Sequence, residues 1–119
     1  MTPTIRHRRD AIHHEIVRVL HLSAPPGTED LGTDQFVSGF VDLAVEASEG
    51  DTRARDEYLA LIVPSVRASG ISLDVSMSGM VALAMGGAVM LEGDQRTWWY
   101  RFCTDYTARM ANLWEATTP

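Results

Sequence analysis

Four histidines are the side chains best suited to chemistry, and they cluster near the N-terminus: His7, His13, His14 and His21. Three of them, His7, His14 and His21, are spaced by seven, so a helix places them on one face. Successive members are then two turns apart, about 10.5 Å. A metal ion such as zinc takes its ligands at about 2 Å, so one ion cannot bridge two members of this row. Metal held between two chains packed on the same face would fit the spacing. A solvated row of imidazoles fits it with fewer requirements and is the reading adopted, so no metal and no other cofactor is expected.

The carboxylates are scattered. A di-iron bundle needs Glu-x-x-His pairs facing inward from two helices, and no such pair occurs. Asp42 and Glu46 are a pair four residues apart, opposite Phe36 and Phe40, and should be exposed. Asp105 lies within WWYRFCTDY, beside an apolar face; Arg101 and Arg109, four residues to either side, are its natural partners. The one cysteine, Cys103, rules out an internal disulfide and fits a reducing compartment. It should be partly or wholly buried, and no base is placed to activate it, so a nucleophilic role lacks support. Zinc-type Cys/His spacing, a Gly-rich phosphate loop and a GxSxG elbow are all missing. No catalytic residue is assigned, and the chain is not expected to be an enzyme.

The elements that would position these residues come from a chain of 119 residues with a net charge of -6. That length makes one domain, residues 1–119, with room for a real core. The negative balance argues against a nucleic acid or an anionic membrane as partner, since both demand a basic surface. Arg6, His7, Arg8 and Arg9 form a short basic patch that reads as a solvated first turn. No apolar segment directly follows it, so no signal peptide is expected and the cytoplasm is the expected location.

The organising stretch is Ile71–Leu91, ISLDVSMSGMVALAMGGAVML, which carries no charge from Val75 onward. As a helix it is apolar nearly all round, which fits a buried helix or a membrane span. Its charge-free run of about 17 residues is short for a bilayer. Burial at the centre of the domain is therefore expected, with Gly79, Ala82, Gly86 and Gly87 letting neighbours approach.

Four two-faced helices surround this segment in the reading. The first covers about Thr4–Leu22, with Ile5, Ile12, Ile16, Val19 and Leu20 inward. Ser23-Ala-Pro-Pro-Gly-Thr-Glu-Asp ends it, because paired prolines remove donors and fix φ. The second starts at Thr33 or Asp34, runs to about Ser48 and buries Phe36, Phe40, Leu43, Ala44 and Ala47. Gly50 ends it and Asp51 caps the third. That third helix, about Thr52–Ser69, turns Tyr58, Leu59, Ile62, Val63 and Val66 inward. Pro64 costs a helix interior about 3 kcal/mol or kinks it, predicting a bend or break near Ala60–Leu61. Gly70 and Ser72 then punctuate the entry to the central helix, about residues 72–92. Gly93-Asp94 opens the last, which ends near Ala116 with Trp99, Phe102, Cys103, Tyr106, Met110 and Leu113 on one face. The fold class is all-α, five or more helices around a central apolar one.

Two sites follow from this arrangement. Trp98 and Trp114 lie off the apolar face of the last helix, and exposed they would supply a subunit contact; the first and last helices are the expected seam of a homodimer. Met77, Met80 and Met85 with Trp99 and Tyr106 could line a pocket for an apolar small molecule between the central and last helices.

The segment Gly50–Leu91, with its Gly-Asp turn, a helix bearing Arg53, Ala54, Arg55 and Tyr58, the cap Ser69-Gly70-Ile71-Ser72-Leu73 and a small-residue apolar helix, resembles the N-terminal globin-like domain of the RsbR type, found in stressosome proteins and related bacterial regulators. The likeness extends to residues 50–115. It implies a non-heme globin-like bundle, a dimer, a sensing or relaying role towards a protein partner in signalling, and no catalysis. No histidine follows His21, which argues against imidazole ligation of heme and leaves Cys103 or a methionine as the remaining ligands. In such regulators an output domain of the STAS type follows; here the sequence ends at Pro119, as a free-standing domain or as part of a longer protein.

Overall fold

A computed structural model describes residues 4–23 and 33–116. Among these are five α-helices and no strand: α1 Arg9–Ser23, α2 Thr33–Ser48, α3 Arg53–Ala68, α4 Leu73–Val89 and α5 Gly93–Ala116, with one 3-10 turn, Arg6–Arg8, ahead of α1. The architecture is an all-α bundle, as expected. The proline-rich break after α1, and the capping of α2 by Thr33 or Asp34, lie outside the described residues.

The punctuation follows the sequence closely. After α2, Gly50 takes φ 100°, and the amides of Gly50 and Asp51 donate back to the carbonyls of Ala47 and Glu46. That is a Schellman closure, which satisfies orphan carbonyls and needs a left-handed residue at this position. The Asp51 carboxylate then accepts from the Arg53 amide at 3.0 Å and begins α3. Likewise Ser72 Oγ accepts from the Val75 amide at 3.2 Å and caps α4.

Pro64 does not break α3, which runs unbroken from Arg53 to Ala68. Both Pro64 and Ala60, whose carbonyl loses its partner, are exposed, so water can take the freed acceptor and the chain stays helical across the proline. The helix buries Leu59 and Val63, with Ile62 packed beside them, and leaves Leu61 outside.

The expected face of α2 is turned by about one residue, or 100°. Its buried residues are Val37, Phe40, Val41, Ala44 and Val45, while Phe36 is 40% exposed. Phe40 is the hub of the core. Its ring meets Tyr106 at 4.9 Å and Trp99 at 5.9 Å, both edge-on, and Phe102 at 5.6 Å. Edge-to-face rings at these separations add about 0.5–1.5 kcal/mol beyond burial alone.

α4 packs on α1 and on α5, and two adjacent glycines make those contacts close. A Cβ on Gly86 would lie 3.0 Å from Ile16 Cα, and one on Gly87 would lie 2.2 Å from the Trp99 ring. Trp99 uses the space to donate its indole N–H to the Ala84 carbonyl at 3.1 Å. The expectation that α4 sits enclosed at the centre is corrected. Among the described residues its main neighbours are α1 and α5, and the side that bears Val81, Met85 and Val89 is exposed. An apolar helix gives no sequence signal of which side its neighbours take, and α2 and α3 pack on each other and on α1 and α5 instead.

Candidate functional site

The open side of α4 is its most exposed apolar surface. Val81 and Met85 are each 57% exposed and Val89 64%; their spacing of four puts them on one stripe, with Ser78 one turn before Val81. Val75 is exposed at the N-terminal end. No ionisable side chain occurs on the helix after Asp74.

Beside the stripe runs a groove of ≈ 440 Å3 between α4 and α5. Its α4 wall is Met77, Met80, Val81 and Ala84; its α5 wall includes Cys103, Thr104 and Ala108. Thr107 completes that wall and turns its hydroxyl to the Cys103 carbonyl at 2.7 Å, so the groove presents few free polar groups. Tyr100, 45% exposed, falls on the same edge of α5 as Thr104 and Thr107. Val81 belongs to both features, as the crest of the stripe and one wall of the groove.

The expected pocket is divided by the fold. Met77 and Met80 line the groove. Met85 points outward, and Trp99 and Tyr106 are fully buried in the core. The expected interface residues are also packed. Trp98 is half-buried and stacks on Phe102 at 5.3 Å with a 13° tilt, and Trp114 is partly buried against the core, its carbonyl accepting from Arg67. The expected seam of first and last helices is not a continuous face, because α4 lies between α1 and α5. Val81, Met85 and Val89 belong to a segment expected inside, and nothing in its uniformly apolar pattern marks them as the exposed side.

Several charged residues tie the helices together. Arg55, 7% exposed at its side chain, donates to Asp105 at 2.8 Å and to Asp56 at 2.9 Å. Arg109 joins from α5, 3.0 Å from Asp105, so four charges clasp α3 to α5. Arg9 ties α1 to Asp42 and Ser38 of α2, and Arg6 pairs with Glu49. Burial pushes the Cys103 thiol up to about 12, so it stays protonated at neutral pH, and a protonated thiol is a poor nucleophile. Among the described residues no three His, Cys, Asp or Glu side chains gather as a metal site, and no helix is long and apolar enough to cross a membrane.

Comparison with family models, curated proteins and solved structures finds no match for this chain.

Proposed function

We propose that this chain is a non-enzymatic regulatory domain that works as a homodimer and passes a signal to a protein partner. The observation that carries the reading is the uncharged, outward-facing stripe of α4, Val81, Met85 and Val89. Apolar surface of this kind at the edge of a groove is the usual mark of a protein contact. The protonated, buried Cys103 and the use of Asp56, Asp105 and Arg109 as a helix clasp support a role without catalysis. The RsbR-type likeness of Gly50–Leu91 supplies the class: a non-heme, globin-like bacterial signalling domain of the stress-response kind, working in the cytoplasm. Sedimentation velocity across micromolar concentrations tests the dimer, and a monomer throughout that range overturns it. A Soret band in the purified protein overturns the non-heme assignment.

A second reading draws on the α4–α5 groove, whose uncharged lining suits an apolar small molecule. Native mass spectrometry of protein taken gently from cells tests it, and only the mass of the bare chain counts against it.

A further inference from the structure

We infer that a second copy of this chain seats on the α4–α5 face about a two-fold axis, the Val81–Met85 ridge of each copy entering the groove of the other. The inference rests on the dimeric reading above and gives it a place and a geometry. An isologous contact uses the same patch on both partners, so that patch must hold a projection and a recess together. This one does: the ridge adjoins the groove, and Val81 is shared between them.

Charge selects the same occupant. With a net charge of -6, two copies repel one another on average over their surfaces. The α4 stripe and the groove walls carry no ionisable group other than the protonated Cys103, so here two copies meet without that cost. Asp74, one turn before Ser78, is the one ionisable side chain on α4, so a strongly charged partner would find little on this face to pair with. The small side chains Ala84, Thr104 and Ala108 leave room for the close approach that ridge-in-groove helix packing requires.

The area is of the right order. The exposed parts of Val81, Met85, Val89 and Tyr100 amount to roughly 400 Å2 per copy, about half of the ~800 Å2 per partner in a standard interface. The groove walls and the flanking Ser78 add to it.

The test is sedimentation velocity on the full chain, as wild type, V81E/M85E, A108W, V81L and L61E, each checked for native helicity by circular dichroism. Val81 and Met85 are exposed, so the charged pair leaves the core intact. The expected result is a wild-type dimer whose dissociation constant rises at least a hundredfold in V81E/M85E, and at least tenfold when A108W fills the groove. V81L keeps the ridge and L61E lies on α3, so both should dimerise as wild type does. A dimer untouched by V81E/M85E and A108W overturns this seam and leaves the dimeric reading standing. A dimer lost in L61E also overturns it, in favour of α3. A wild-type monomer, with or without a small molecule bound, overturns both.

Discussion

Trp99 lies where a side chain on residue 87 would have to be: the Cβ that Gly87 lacks would sit 2.2 Å from the indole Cε2. The ring cannot easily yield. It is fully buried, edge-on to Phe40 and bonded to the Ala84 carbonyl.

G87A should therefore destabilise the protein. Overpacking of a tight core costs about 1–3 kcal/mol, and the helix-propensity gain of about 1 kcal/mol offsets only part of it. G79A, in the same helix, should have the opposite sign. Nothing lies within 4 Å of a Cβ there, so only the propensity gain of about 0.5–1 kcal/mol remains. Chemical denaturation of the two variants checks the sign, and matching signs would contradict the packing described.

R55A should cost about 1–3 kcal/mol, since it removes a buried side chain and its hydrogen bonds to Asp56 and Asp105. Those carboxylates are half-exposed and stay solvated, which keeps the loss below that of stranding a buried charge. R55K should recover part of it, because one ammonium cannot reproduce a planar fork. Urea unfolding midpoints provide the comparison.

P64A should raise stability. The site is exposed and already helical, so the change restores one amide donor without new packing. The gain should be at most about 3 kcal/mol, reduced by the greater freedom of the unfolded chain. A thermal melt that falls would show that the proline fits a local geometry alanine cannot keep.

Cys103 should resist alkylation in the native protein at pH 8 and react at once in denaturant. Burial raises its folded pKa from 9.0 to about 12, so the stability it contributes is complete below pH 9 and declines as pH rises from 9 towards 12. Burial raises Tyr106 as well, which adds to the same alkaline loss. On the acid side Glu49 is lowered by its bond to Arg6. Its contribution is present above 4.5 and fades as pH falls through the lower folded value, so E49Q should flatten that limb of a melting-temperature profile. A native thiol that reacts freely at pH 8 would refute the burial.

Much of the fold was legible because turn chemistry is local. Gly50, Asp51, Gly70, Ser72 and Gly93 act through their own backbone angles and short-range bonds, and each appears where the residue type requires it. Facing was harder to read. α2 carries apolar residues at 36, 37, 40, 41, 43, 44, 45 and 47, so two stripes a residue apart fit almost equally well. Tertiary contact with α1 and α5 selects the one centred on Val41. α4 is apolar all round, and its composition cannot say which side is left open. Trp98 and Trp114 illustrate the same limit, since a large ring off the main stripe can still fold back over it, as Trp98 does on Phe102.

The paired glycines at 86 and 87 have one more consequence. They differ in what opposes them: Gly87 faces the side chain of Trp99, whereas Gly86 faces the Cα and backbone nitrogen of Ile16. Across related sequences, a larger residue at 87 should therefore travel with a smaller one at 99. At 86 no exchange of side chains clears the backbone opposite, so glycine there should persist whatever stands at 16.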